Sequence, residues 1–339
     1  MRRHAPLPFT RRPPNGRARL FGDSMIAVLQ SAHPLRHAAS QIGYWRTLHP
    51  DLTITGRPLA DTPALPVLTR ADVGRLAADT VREGYFHAPQ VIAPAYAARL
   101  ARVVDNLVRN GIPPVFCLVY DEFWNMFAGL DPLLRALLGE GYRLLPADIW
   151  AWHVAPTEGA SGWGPHRDLP RLDALRADGR PRVVNVWLPL TDAGPDNACM
   201  YVLPAHLDPN FPEHVDGGRF GLEDWQNIRA LPAHAGSALG WNTQVLHWGG
   251  RCSARATAPR ISVGIYFRSA DCDLRRPAPD PARTGCAPLP FGPALALPFE
   301  ARLEAIAGAL DLYNKRIPSD FPTTWEAIFA FARRHRRGT

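Results

Sequence analysis

Apolar residues recur at helical spacing in the first part of the chain. A capping-box pattern begins at Thr69, and apolar positions then repeat every three or four residues until Gly84, which predicts a helix. A second apolar stripe begins at Pro94 and stops at Gly111, and a third helix is expected over residues 122–138. This part of the chain is therefore predicted to be helical.

From residue 143 onward, short β-branched and aromatic runs alternate with Gly, Pro, Asn and Asp. The predicted strands cover residues 148–154, 182–190, 199–203, 237–248 and 260–267. The turn at residues 193–197 joins two of these runs as a hairpin would. Helices followed by strands predict an α+β fold, mainly β in its core, with a sheet pair or barrel braced by helices.

Three flanking segments have compositions of their own. Residues 1–24 form a basic leader that we expect to be disordered, with Met25 as an alternative start. Residues 271–298 are rich in proline and predict an irregular arm, because proline denies a strand its hydrogen-bond donors. Helical patterning returns over residues 299–339 and predicts a C-terminal extension packed on the same domain. The domain itself is expected over residues 25–270.

Charge and cysteine content limit the classes of partner. The formal charge of +7 comes almost wholly from arginine, and the basic runs at the chain ends contain no interleaved aromatic residues, so we predict no nucleic-acid contact. No apolar run is long enough for a bilayer, so we predict no membrane partner. The five cysteines are widely spaced, which argues against a disulfide scaffold and predicts a reducing, cytoplasmic location. We expect a monomer or a homodimer.

The candidate chemistry begins with an H-x-D triplet. In an extended segment residues i and i+2 face the same side, so His166 and Asp168 can reach one ion while Arg167 points away. A neighbouring strand is predicted to bring in His247. Two imidazoles and one carboxylate leave open positions for oxygen and a co-substrate, as a non-haem Fe(II) centre requires. We therefore interpret these three residues as the catalytic metal ligands of an oxygenase.

The last predicted strand carries a second signal. Arg260 and Ser262 share one face, whereas the residues on the opposite face are apolar. A buried guanidinium needs an anionic partner, and a dicarboxylate would serve, gripped by the arginine fork and the serine hydroxyl. The plainer alternative is that His166, His247 and Arg260 are unrelated: an exposed histidine, a core histidine and a surface arginine. Their order and strand faces favour one shared site.

With these residues in place, the sequence resembles the phytanoyl-CoA dioxygenase family of Fe(II)- and 2-oxoglutarate-dependent oxygenases. The resemblance covers roughly residues 70–270 and rests on matching segments at residues 83–86, 185–192 and 197–204, besides His247 and residues 260–262. It implies a double-stranded β-helix, a jelly-roll of the cupin type, with helices packed on one sheet.

The resemblance also implies roles for the site residues. His166, Asp168 and His247 would hold Fe(II), while Arg260 and Ser262 would hold the distal carboxylate of 2-oxoglutarate, with O2 as the third reactant. The expected reaction is hydroxylation of an aliphatic carbon of a small molecule, with succinate and CO2 as co-products. Desaturation, cyclisation and epimerisation by the same iron site stay open, as does a non-catalytic cupin-like binding protein.

Other residues near the site have less defined roles. His153 either contacts the inner carboxylate of the co-substrate or is a hydrogen-bonded core histidine. Asn185 is interpreted as a pocket residue that helps to bind the co-substrate, with Trp187 on the same strand face. Arg167 stands where the family often has glutamine, so Arg167 and the loop near His206 can line the entry of the substrate.

Overall fold

The computed structural model describes residues 38–58, 68–168, 174–212, 222–272, 288–292 and 295–314. The basic leader, Met25, most of the proline-rich arm and the end of the C-terminal extension lie outside the described residues. Their predicted boundaries stay predictions.

The helices of the described parts lie mostly before the strands. The α-helices are α1 (Ile42–Leu48), α2 (Arg70–Glu83), α3 (Pro94–Arg109), α4 (Asp121–Asn125), α5 (Asp131–Leu138) and α6 (Phe299–Asn314). Short 3-10 helices cover Pro114–Val119, Ala128–Leu130, Ala205–Leu207 and Leu222–Asn227.

The helix predicted after Thr69 is confirmed as α2, and so is the helix predicted from Pro94, as α3. The Thr69 side chain accepts a hydrogen bond from the backbone N–H of Asp72, whose carboxylate accepts one from the Thr69 backbone. Gly84 ends α2 with a φ of 82°, a conformation that favours glycine. A Cβ at Gly84 would lie 2.3 Å from Cγ2 of Val245, so the end of α2 rests directly on the chain before the distal histidine.

The single helix predicted over residues 122–138 is wrong, because the chain forms α4 and α5 with a 3-10 turn between them. Pro132 lies in the first turn of α5. Proline has no N–H to continue an earlier helix, but its fixed φ suits the start of a new one. Helix α1 was not predicted; its buried Trp45 donates its indole N–H to the carbonyl of Ala39 at 2.9 Å.

Within the described residues, the paired strands are all antiparallel and form two sheets. The strands are β1 (Tyr85–Ala88), β2 (Arg143–Val154), β3 (Val183–Pro189), β4 (Met200–Leu203), β5 (Arg229–Leu231), β6 (Ala238–Asn242), β7 (Leu246–Gly249), β8 (Arg260–Arg268) and β9 (Leu289–Pro290). The large sheet has the order β1-β6-β3-β8-β2-β9, and the small sheet has the order β5-β4-β7. This mixture of helices and antiparallel sheets confirms the predicted α+β class.

Two predicted connections are corrected because the chain changes sheets. The strand predicted over residues 237–248 is two strands, β6 in the large sheet and β7 in the small one. Between them, the side-chain Oδ1 of Asn242 accepts the backbone N–H groups of Gln244 and Val245 at 2.9 and 3.1 Å, which turns the chain. The turn at residues 193–197 likewise joins β3 to β4 in the other sheet and makes no hairpin.

The alternation predicted for β8 is confirmed. Ile261 and Val263 belong to the apolar core that the large sheet shares with the helices, whereas Arg260 and Gly264 line a cavity on the other face. In the parts of the chain that the structure describes, no helix has the length and apolarity that a bilayer crossing requires. The described cysteines are buried and form no disulfide bond: Cys117, Cys199, Cys252 and Cys272.

Candidate metal centre

A cavity of about 160 Å³ lies between the two sheets. Its aromatic lining is Trp150, Trp152, Trp163, Trp187, Trp241 and Tyr266. Its polar and charged lining is His166, Arg167, Asp168, Asn185, His247 and Arg260. The fold therefore brings most of the sequence-predicted site residues to one place.

The two histidines and the aspartate converge as the sequence predicted. The ligand atoms of His166, Asp168 and His247 all lie within 4.8 Å of one another. Oδ1 of Asp168 is 3.5 Å from Nε2 of His166 and 3.6 Å from Nε2 of His247. Across the described residues, this is the one group of three or more such side chains that could hold a metal ion.

Backbone pairing explains the convergence. The N–H of His166 donates to the carbonyl of His247, and the N–H of His247 donates to the carbonyl of His166, both at 3.0 Å. The N–H of Asp168 donates to the carbonyl of Thr243 at 3.0 Å. The segment with the H-x-D triplet therefore lies beside β7, and its register places all three side chains together.

Hydrogen bonds orient both imidazoles. Nδ1 of His166 lies 2.7 Å from the carbonyl oxygen of Gly164, and Nδ1 of His247 lies 3.0 Å from that of Val245. A carbonyl oxygen can only accept a hydrogen bond, so each Nδ1 carries the proton and each Nε2 is left unprotonated, at 3.5 and 3.6 Å from Oδ1 of Asp168. Metal-binding histidines are typically oriented by such a second bond.

The protonation states suit a cation. Burial opposes the charge on Asp168, but His247, His166 and a hydrogen bond from Tyr266 hold the pKa of this carboxyl well below its usual range. Burial lowers the pKa of His247 to about 4. At neutral pH the aspartate is therefore ionised and His247 is neutral, as metal ligands must be.

The second oxygen of Asp168 has its own donors. Oδ2 accepts the indole N–H of Trp241 at 3.0 Å and the Nδ2 group of Asn185 at 3.4 Å. The Trp241 ring also lies 4.5 Å from the imidazole of His247, centroid to centroid. The role of Trp241 could not be predicted from the sequence, because its position opposite Asn185 depends on strand pairing.

Arg260 is a buried cation with few internal partners. It is 1% exposed, donates to Oγ of Ser262 at 2.9 Å and lies 5.5 Å from the ring centroid of Trp187. Its Nε has no hydrogen-bond partner, and among the described residues it pairs with no carboxylate. Burial lowers the pKa of Arg260 to about 10, so it is charged at neutral pH. Such a guanidinium fits an anionic ligand.

Glycine makes room beside this guanidinium. A Cβ at Gly162 would lie 2.9 Å from Nη2 of Arg260. This is closer than Cβ atoms approach other heavy atoms, so a side chain there would displace the arginine.

Arg167 points away from the metal ligands, as predicted, although it lines the cavity. Its Nη2 donates to Oδ2 of Asp208 at 2.7 Å, its Nη1 donates to the carbonyl of Gln244, and both charged side chains are buried. His206 itself pairs with Glu83 at 3.4 Å and is not among the residues that line the cavity. That the loop near His206 lines the entry of the substrate stays a prediction.

The proposed contact of His153 with a co-substrate is contradicted. Trp152 lies directly opposite Ser262 in the β2–β8 ladder, and paired residues share a face of a sheet. Trp152 therefore faces the cavity and His153 faces the helices, where its Nε2 lies 3.1 Å from Oδ1 of Asp105. His153 is instead a hydrogen-bonded histidine on the helical side of the sheet, which is the alternative that the sequence left open.

Comparisons with known proteins place this site in context. The family profile described as phytanoyl-CoA dioxygenase matches residues 66–256. No curated protein matches the chain in sequence.

Several solved structures resemble the chain. The non-haem α-ketoglutarate-dependent epimerase SnoN from nogalamycin biosynthesis is 20% identical, with a TM-score of 0.47 over 60% of this chain and 82% of that one. The carbocyclase SnoK from the same biosynthesis is 17% identical, with a TM-score of 0.43 over 60% and 85%. EvdO2 from Micromonospora carbonacea var. aurantiaca, complexed with 2-oxoglutarate, is 19% identical, with a TM-score of 0.45 over 65% and 98%.

Proposed function

Because the chain belongs to the phytanoyl-CoA dioxygenase family of iron- and 2-oxoglutarate-dependent oxygenases, we propose that it hydroxylates an aliphatic carbon of a small-molecule substrate. Succinate and CO2 are the co-products. The observation that carries the proposal is a buried arginine with no carboxylate partner among the described residues, in the same cavity as a cluster of two histidines and one aspartate.

The residues present fit both cofactors. The donor set of His166, Asp168 and His247 suits Fe(II), and the oriented Nε2 atoms face the same point as Oδ1 of Asp168. The unpartnered Nε of Arg260 and its contact with Ser262 suit the distal carboxylate of 2-oxoglutarate. When bound together, iron and 2-oxoglutarate supply an oxidant that can remove a hydrogen atom from an unactivated carbon.

The protein's own residues bind and orient the reactants. Arg260 would hold one carboxylate of the keto acid, and the other end of the keto acid would bind the metal held by His166, Asp168 and His247. The Asp168 carboxylate stays ionised in a buried site and offsets part of the metal charge. Trp150, Trp187 and Trp241 are each no more than 4% exposed and keep water from the cavity walls. An oxidising site needs this shielding to avoid side reactions.

We also propose that the two sheets are the walls of a double-stranded β-helix. Two observations support this architecture: β3 leads into β4 of the opposite sheet, and β6 leads into β7 of the opposite sheet. The cavity lies between these sheets, where small antiparallel barrels and jelly-rolls hold their ligands.

The first test is spectroscopic. Addition of Fe(II) and 2-oxoglutarate to the protein without oxygen is expected to produce the weak visible charge-transfer band of an iron-bound keto acid. Succinate release after oxygen is admitted, measured across a panel of small molecules, then identifies the substrate. A folded protein that gives no band would instead be a cupin-like binding protein.

A second test separates hydroxylation from the other reactions of the same site. With the substrate found above and ¹⁸O2, a hydroxylase transfers one labelled oxygen atom to the product. Desaturation, cyclisation and epimerisation leave the product unlabelled. Mass spectrometry of the product distinguishes the two outcomes, and an unlabelled product rejects hydroxylation.

A further inference from the structure

We infer that Trp241 is a positioning residue that restricts Asp168 to metal binding through one oxygen. The inference rests on the proposed iron site and concerns how the coordination of that site is set. It assigns a role to an indole N–H that would otherwise count as part of the core.

The two oxygens of Asp168 have different surroundings. Oδ1 faces Nε2 of both His166 and His247, at 3.5 and 3.6 Å. Oδ2 instead accepts the indole N–H of Trp241 at 3.0 Å and, more weakly, Nδ2 of Asn185 at 3.4 Å. Tyr266 also donates a hydrogen bond to this carboxylate. Oδ1 is therefore the oxygen that faces both imidazoles, and Oδ2 is the oxygen that Trp241 and Asn185 hold.

The direction of the indole N–H is fixed by packing. Trp241 is 2% exposed and lies in β6, paired with Tyr85 of β1 on one side and Asn185 of β3 on the other. Its ring lies 4.5 Å from the imidazole of His247, at an interplanar angle of 41°. The buried ring is packed against His247 and therefore holds its N–H toward Oδ2 of Asp168.

One-oxygen binding has a consequence for catalysis. An octahedral centre with three protein ligands has three open positions, two for 2-oxoglutarate and one for O2. A carboxylate that bound through both oxygens would fill one of them. Trp241 thus keeps a position open for a reactant.

The experiment replaces the indole and uses Co(II) alone as a spectroscopic probe. Trp241→Phe keeps an aromatic ring and removes the N–H. We expect its affinity for Co(II) to fall about 10- to 100-fold, as for the loss of other groups that orient metal ligands. We also expect the visible Co(II) absorption to change, because the freed Oδ2 alters the coordination.

Trp124→Phe is the matched control. Trp124 is 1% exposed and donates its indole N–H to the carbonyl of Leu118 at 2.7 Å, away from the cavity. This variant loses the same type of bond and is expected to lose stability while its Co(II) affinity and absorption stay as in the wild type.

Wild-type affinity and absorption in Trp241→Phe would overturn the inference, while Co(II) binding by the wild type would leave the metal site standing. Failure of the wild type to bind Co(II) would overturn both. If Trp241→Phe does not fold, a crystal structure of the Co(II)-loaded wild type decides instead. We expect Co(II) on Oδ1 of Asp168 alone, with the Trp241 N–H still on Oδ2; Co(II) bound by both oxygens, or an indole N–H turned away from Oδ2, rejects the inference.

Discussion

Two buried arginines show how the helical side and the cavity side of the large sheet differ. Arg302 on α6 is 2% exposed, donates to the carbonyls of Leu297 and Val119, each at 2.8 Å, and pairs with Asp121. Arg260 on β8 is equally buried, yet has one side-chain hydrogen-bond partner and no carboxylate among the described residues.

The difference lies in whether the protein itself supplies hydrogen-bond acceptors for a buried guanidinium. A buried charge is tolerated when paired and strongly unfavourable when it is not. At Arg302 the protein itself supplies the acceptors, so the residue stabilises the docking of α6. At Arg260 the acceptors are missing from the described protein, so an anionic ligand is expected to supply them.

The largest expected effect is a loss of stability when Arg302, the paired arginine, is replaced. Arg302→Met leaves Asp121 buried without its cation and should lower the free energy of unfolding by about 3–5 kcal/mol, measured by urea denaturation. Affinity for 2-oxoglutarate should not change. The double variant Arg302→Met/Asp121→Leu removes both charges and should regain much of the loss; no recovery would mean that shape, not charge, dominates there.

The second effect is a loss of 2-oxoglutarate affinity when Arg260, the arginine without a carboxylate partner among the described residues, is replaced. Arg260→Met should weaken 2-oxoglutarate binding to the Co(II)-loaded protein by about 2–5 kcal/mol, measured by calorimetry. The free energy of unfolding of the ligand-free protein should not fall, because an apolar side chain replaces a poorly compensated charge. A stability loss as large as that of Arg302→Met would contradict the interpretation that Arg260, unlike Arg302, is not compensated by the protein.

A smaller loss of 2-oxoglutarate affinity is expected when the space beside Arg260 is filled. Gly162→Ala places a Cβ 2.9 Å from Nη2 of Arg260, and such overpacking typically costs about 1–3 kcal/mol. We expect that loss in 2-oxoglutarate binding, measured by the same calorimetry. Gly164→Ala is the control, since a Cβ there meets nothing within 4 Å; equal effects of the two variants would contradict the geometry.

The smallest effect is a pH dependence of the satisfied pair. Burial raises the pKa of Asp121, but Arg302 and the hydrogen bonds of Thr55 outweigh burial and leave that pKa lowered. A lowered pKa adds stability above the unfolded-state value, about 4, and loses it as pH falls through the folded-state value. Urea midpoints measured downward from pH 5 should decline more steeply in the wild type than in Asp121→Asn.

Local patterns predicted the features that depend on neighbours in sequence. The capping box at Thr69 and the glycine at position 84 fixed both ends of α2. Strict alternation placed Arg260 and Ser262 on one face of β8, and i, i+2 spacing placed His166 with Asp168. Each of these features depends on residues a few positions apart.

Features that depend on strand pairing could not be predicted. Two roles stayed open for His153, because only the register of β2 with β8 shows that Trp152 faces the cavity. The run through Asn242 has strand-like composition on both sides, but the side-chain turn at Asn242 divides it between sheets. Trp241 gains its contact with Asp168 only after both strands are in place.

The geometry at the end of α2 makes one residue that is not a metal ligand, Gly84, intolerant of substitution. At Gly84 the positive φ and the 2.3 Å approach to Val245 leave no room for a side chain. The backbone carbonyl of Val245 accepts the hydrogen bond from Nδ1 that orients His247. A saturation library at position 84, selected for iron-dependent turnover, should return glycine alone, and its other members should fail even though their entire coordination sphere is intact.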